Sequence, residues 1–142
     1  MSAVPNSLPA CFDRQTFFEC LQNTIEARTE RDKPLAVLIV DLDRFGEINQ
    51  ALGHDVGDLV LEQVNERLRG MLRHTDAFAR IGDDEFAMLL PTVMSPGHTL
   101  LAVSKIQSTI NDPFVVAGQH LNVKASIGIA LFPQHEIGRA HV

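Results

Sequence analysis

From Asp13 to Arg31 apolar residues recur at Phe17, Leu21 and Ile25, with Phe18 and Cys20 beside them. That spacing predicts a helix with Asp13 as its N-cap. Lys33-Pro34 ends it, and every position of Leu35-Ala36-Val37-Leu38-Ile39-Val40 is apolar, which predicts a central strand covered on both faces. A short helical turn follows over Arg44–Leu52, stopped by Gly53. A longer helix from Asp55 to Arg73 carries Val56, Val60, Val64, Leu68 and Met71 down one stripe, broadened by Leu61 and Leu72. The stretch Asp76–Leu90 predicts two strands joined at Gly82-Asp83, where Gly suits the positive φ of a two-residue type II′ turn. Pro91 and Ser95-Pro96-Gly97 precede a helix over His98–Ile110. Asn111-Asp112-Pro113 then leads into a hairpin of Phe114–Ala117 and Leu121–Phe132 around Gly118-Gln119. Residues 1–12 are proline-containing and aperiodic, and are expected to be disordered. The order α-β-α-α-β-β-α-β-β predicts an α+β sandwich with a mostly antiparallel sheet flanked by helices.

Composition narrows the partners. The chain has 142 residues, 45% of them apolar and 21% charged, enough for one globular domain, placed at residues 13–135. A net charge of −6 argues against nonspecific nucleic acid binding and against anionic membrane surfaces. It leaves room for an anionic ligand wherever a metal supplies positive charge. No apolar run approaches membrane-spanning length and no leader pattern opens the chain, so the expectation is a cytoplasmic domain without membrane insertion. Cys11 and Cys20 form neither a metal spacing nor a disulfide framework, so a reduced pair is expected. The tail Glu136-Ile137-Gly138-Arg139-Ala140-His141-Val142 matches translation of a common sequencing adapter, so residues 136–142 are expected to be read-through and carry no weight in the fold.

The candidate chemistry is acidic. Asp41 and Asp43 close the apolar strand and project to one side of it, because strand side chains alternate. Asp83, Asp84 and Glu85 crowd the tip of the predicted hairpin. If the strand and the hairpin are neighbours, carboxylates converge from two elements, which suits oxygen ligation of Mg²⁺. An ordinary acidic hairpin, with an Asp capping the next helix, accounts for the same letters.

Gly82-Asp83-Asp84-Glu85-Phe86 resembles the signature loop of the GGDEF family, the diguanylate cyclases, with Asp83 in place of its second glycine. Asp41-Leu42-Asp43-Arg44-Phe45, Ile48-Asn49, Gly53-His54-Asp55-Val56-Gly57-Asp58 and Ser126-Ile127-Gly128-Ile129-Ala130 follow the family's order, and the resemblance spans Phe17 to Pro133. It implies a palm-like fold akin to nucleotidyl cyclases and polymerases, with a central five-stranded sheet. It also implies condensation of two GTP molecules into cyclic di-GMP (c-di-GMP) by a homodimer, with Mg²⁺ or Mn²⁺ as cofactor. Carried over by position, Asp84 and Glu85 are catalytic, and Asp41, the Leu42 carbonyl and Asp84 hold metal. Phe45, Asn49, Asp58, Gly82 and Asp83 contact substrate, with Asn49 and Asp58 reading the guanine edge and Gly57 leaving room for a flat base. Arg73 and Asp76 resemble the family's RxxD inhibitory site. Taken singly, Asn49 is a helix-end residue, Asp58 a dipole partner, and Arg73 and Asp76 the ends of a helix and a strand.

Departures from the family pattern fall on the phosphate side. Asp83 adds a Cβ and a charge to the loop, Gly46 stands where active members carry lysine, and the family's C-terminal helix lies beyond the tail. Three functions follow from the resemblance: a weakened domain that binds GTP or c-di-GMP and regulates an attached domain, an active cyclase, or a dimerisation piece with an empty pocket. The late segment resembles GGDEF domains fused to a downstream EAL domain.

Overall fold

Asp13 caps the first helix as predicted. Its carboxylate accepts from the Thr16 N–H at 2.7 Å and starts α1 (Arg14–Ala27). The computed structural model describes residues 10–133; the expectations for residues 1–9 and for the tail fall outside them. The central sheet has five strands, ordered β1 (Ala10–Phe12), β3 (Ala77–Arg80), β4 (Glu85–Leu90), β2 (Leu35–Leu42) and β7 (Ala125–Phe132). β1 runs parallel to β3, and every other neighbour is antiparallel. This is the α+β, palm-like architecture expected.

The membership of the sheet differs from the sequence reading in two places. Ala10–Phe12, expected within the disordered segment 1–12, forms β1 by pairing with Ala77–Ala79; its partner lies far along the chain and leaves no local signal. Leu121–Phe132 is not one strand either. β5 (Phe114–Val116) pairs with β6 (Gln119–Leu121) in a separate two-stranded sheet, and β7 leaves to flank β2. The turn is Ala117-Gly118, with φ of 51° and 77°, as a type I′ hairpin requires.

Both faces of β2 are covered, which is why its apolar run is continuous. Leu38, Val40, Phe78, Phe86 and Met88 pack with Val60, Val64 and Leu68 of α3 (His54–Gly70) and with Ile106 and Ile110 of α4 (Pro96–Asn111). Each large side chain so buried contributes about 1.5–3 kcal/mol. On the opposite face Leu35, Ala77, Ala79, Ala87 and Leu89 lie under Phe17 of α1. Ser126, Gly128 and Ala130 of β7 stay exposed on that side. The helical turn predicted after β2 is α2 (Phe45–Leu52), and α3 stops at Gly70, short of Arg73. α4 starts earlier than predicted, because Ser95 caps it through the His98 N–H and Pro96 occupies its first turn.

Arg67 ties the helical layer together. Its guanidinium donates to the carbonyls of Thr109, Asp112 and Pro113 and lies 3.6 Å from the Phe114 ring centroid. Among the described residues no helix is long and apolar enough to cross a membrane.

Candidate functional site

The sheet register delivers the expected convergence of carboxylates. Asp41 pairs with Glu85 on one side and with Ser126 on the other. The Leu42 N–H donates to the Asp84 carbonyl at 3.0 Å, which draws the acidic loop against the end of β2. The Asp43 N–H donates to the Lys124 carbonyl at 2.8 Å, and Ser126 Oγ donates to Asp43 Oδ1 at 2.8 Å. Like charges facing each other across strands are unfavourable. Partial desolvation, then Asp84, then Asp43 push the Asp41 carboxyl above its ordinary pKa.

That electrostatic strain and the donor chemistry suit a hard cation. Among the described residues, however, no three Asp, Glu, His or Cys side chains are grouped closely enough to hold a metal by themselves. The donor set that fits is two carboxylates completed by backbone oxygen and by oxygens of water or ligand. Asp41, Asp84 and the Leu42 carbonyl are the groups at this end of the sheet that could contribute to such a set.

The loop between β3 and β4 is not the two-residue turn predicted. Arg80 pairs with Phe86, so the loop centres on Asp83, and Gly82 does not adopt a positive φ. The Ile81 and Gly82 N–H groups both donate to the Glu85 carbonyl, at 2.9 and 3.3 Å. A second glycine is therefore not needed for the hairpin to close. Gly82 instead makes room for Glu85, whose Oε1 lies 2.9 Å from where a Cβ would sit. Arg80 Nε donates to the Gly82 and Asp83 carbonyls, each at 3.0 Å, and Arg14 donates to the Ile81 carbonyl at 2.8 Å.

The residues expected to read a base sit at the α2–α3 junction. Phe45 is buried in the core. Asn49 in the last turn of α2 lies over Gly57 of α3, with Oδ1 only 1.8 Å from an ideal Cβ position there. The space expected to be open for a base is thus filled by the Asn49 carboxamide, because Gly57 lets the two helices approach. Asn49 Oδ1 is buried without a hydrogen-bond partner, while Asp58, which follows Gly57, is exposed. Nothing lies within 4 Å of a Cβ at Gly46, so glycine there is not enforced by packing.

The RxxD pair is separate from this row. Asp76 is buried, accepts from the Arg73 N–H at 2.8 Å, and has Oδ1 3.6 Å from the Arg73 guanidinium. Burial raises its pKa against the lowering effects of Arg73 and His98. The pair flanks a cavity of about 130 Å³ also lined by His98 and Lys105. A larger open groove of about 760 Å³ runs along α1 past Cys20, Arg28 and Arg31 to Thr92. It contains no predicted site residue, and the converging acids and the unpartnered amide mark the site more directly than its volume does. Cys20 is a free thiol. The contacts of Ser126, Arg80 and Arg14 depend on strand and helix neighbours that no local sequence pattern specifies.

Residues 7–140 match the family described as diguanylate cyclase, GGDEF domain. The diguanylate cyclase TpbB of Pseudomonas aeruginosa strain UCBPP-PA14 is 39% identical over 131 residues, 92% of this chain and 30% of that protein. MucR of Pseudomonas aeruginosa, a bifunctional diguanylate cyclase and cyclic di-GMP phosphodiesterase, is 35% identical over 92% of this chain and 19% of its own length. The chain therefore spans less than a third of these relatives. The crystal structure of the GGDEF domain of TpbB (YfiN) from Pseudomonas aeruginosa superposes with a TM-score of 0.82 at 39% identity, covering 92% of this chain and 80% of that one.

Proposed function

This chain belongs to the GGDEF domain family of diguanylate cyclases in cyclic di-GMP signalling, and from that premise we propose that it is a catalytically weakened member. In this reading it binds GTP or c-di-GMP and regulates an attached domain. The observation that carries it is an imbalance of charge. The carboxylates of Asp41, Asp43, Asp84 and Glu85 gather at one end of the sheet, Asp83 adds another, and Gly46 contributes no side chain. Among the described residues no ion pair compensates these acids. A carboxylate ~4 Å from a phosphate costs about 1–4 kcal/mol between bulk-water and surface-like dielectrics.

Asp41, Asp84 and the Leu42 carbonyl would hold Mg²⁺ or Mn²⁺. When bound, such a cation neutralises phosphate charge and acidifies the attacking hydroxyl. The chain's own residues do the rest. Ser126 holds Asp43 beside the row, and Leu42 holds the signature loop against it. The Asn49 carboxamide nitrogen offers donors to a base edge, and the Asp58 carboxylate accepts from guanine's N1–H and N2–H₂. Condensation needs two such sites facing each other, hence a homodimer in any active form. Arg73 and Asp76 form a second nucleotide-facing site for c-di-GMP, and the length of the relatives leaves room for an EAL or sensory domain in the full protein. An active cyclase remains the second reading, favoured by a signature loop that closes fully despite Asp83.

Incubation with GTP and Mg²⁺ followed by chromatography separates the two. The unsubstituted chain is expected to form little c-di-GMP, and G46K combined with D83G is expected to raise GTP affinity by about tenfold or more. Turnover unchanged by those substitutions, or equal binding of ATP and GTP, refutes the proposal.

A further inference from the structure

All five consecutive carbonyls from Ile81 to Glu85, across the β3–β4 loop, are engaged by protein donors. Ile81 O accepts from the Arg14 guanidinium, Gly82 O and Asp83 O from the Arg80 guanidinium, Asp84 O from the Leu42 N–H, and Glu85 O from the Ile81 and Gly82 N–H groups. A loop with its carbonyls bound in this way has no freedom to rotate its peptide planes without breaking at least one bond. No other side chain donates to these five oxygens among the described residues. The two arginines come from different elements: Arg80 is the last residue of β3, and Arg14, in the first turn of α1, lies 67 residues before the Ile81 carbonyl it reaches.

We propose that Arg14 and Arg80 are positioning residues, a two-guanidinium brace that sets the backbone of Gly82–Asp84 and thereby aims the Asp84 carboxylate at the row containing Asp41. This role rests on the nucleotide reading of that row given above. The geometry explains the chemistry of each position. Arg80 reaches two successive carbonyls from one fork, which lysine's single ammonium covers less well. Arg14 sits immediately after Asp13, whose cap orients the first turn of α1. β1 pairs with β3 directly before that turn. The position of the loop is thus tied to the point where the chain enters the domain, and a displacement of α1 pulls on the Ile81 carbonyl. The brace also places two guanidinium groups on the backbone of a loop bearing three carboxylates.

The test uses the whole 142-residue chain, with Arg80→Gln, Arg80→Lys and Arg14→Gln. Hydrogen exchange is followed at Ile81 and Gly82, with Leu35–Val40 of β2 as internal control, and binding of mant-GTP is measured with Mg²⁺. Both arginines are exposed, so the core is left untouched. Arg80→Gln and Arg14→Gln are each expected to speed exchange at Ile81 and Gly82 about two- to tenfold, the range that one net hydrogen bond supports. They should weaken mant-GTP by a similar factor, leave β2 unchanged, and Arg80→Lys should recover part of both effects. Unchanged exchange at Ile81 and Gly82 overturns the brace whatever the nucleotide does. Faster loop exchange with undiminished mant-GTP affinity overturns the positioning role alone. No mant-GTP binding by the unsubstituted chain overturns the nucleotide reading and the role built on it.

Discussion

Gly57→Ala separates the binding site from the fold. An alanine Cβ would lie 1.8 Å from Asn49 Oδ1, 3.0 Å from Asn49 Cγ and 3.3 Å from Phe45 Cζ. The first distance is far inside van der Waals contact, so the Asn49 carboxamide must swing away; the Phe45 ring needs to yield only a few tenths of an ångström. Gly57 lies in the first turns of α3, and alanine is favoured over glycine within a helix by about 0.5–1 kcal/mol. Asn49 Oδ1 has no hydrogen-bond partner to lose. The stability change is therefore expected to stay within about 1 kcal/mol of zero. GTP, in contrast, loses a base-edge partner, at about 1–3 kcal/mol, which is roughly five- to 150-fold in affinity. Urea unfolding and titration calorimetry with GTP and ATP in Mg²⁺ measure the two quantities separately. GTP affinity unchanged in a normally folded variant refutes the assignment of Asn49. Selective loss of GTP over ATP supports it.

Two further outcomes concern the fold and its response to pH. Arg67→Ala removes donors to the Thr109, Asp112 and Pro113 carbonyls and the contact with Phe114, and should cost roughly 2–4 kcal/mol after allowance for solvent at these partly exposed bonds. A urea midpoint that gives a loss under about 0.5 kcal/mol, the usual surface value, counts against the clamp. Asp76 has a folded pKa raised chiefly by burial, so the folded state binds its proton more readily than the unfolded state does. The stability this contributes is present below the unfolded carboxylate pKa and is lost as pH rises through the folded pKa. Asp76→Asn keeps an acceptor for the Arg73 N–H but cannot ionise. Its stability relative to the parent should therefore improve from acid toward neutral pH, as thermal melts across that interval would show. A constant difference means that Asp76 does not titrate differently on folding.

The sequence by itself determined the elements whose signals are local. The apolar run Leu35–Val40 declared a doubly covered strand, the stripe Val56–Leu68 a sheet-packing helix, and Asp13 a cap, because each depends on periodicity or on a bond within one turn. The acidic residues, and their order relative to Asn49 and Asp58, were equally legible as a family pattern. Tertiary structure decided whatever depends on which strands meet. Ala10–Phe12 becomes a strand only because β3 offers it an edge. The signature loop is longer than a two-residue turn because the β3–β4 register pairs Arg80 with Phe86. Gly57 serves Asn49 rather than an open base slot because α2 and α3 pack closely at that residue. Ser126 reaches Asp43 across 83 positions of chain, and Arg14 reaches Ile81 across 67. Such contacts leave no trace in local periodicity, since neither partner's spacing within its own element depends on the other; only assembly of the sheet brings them within hydrogen-bonding distance.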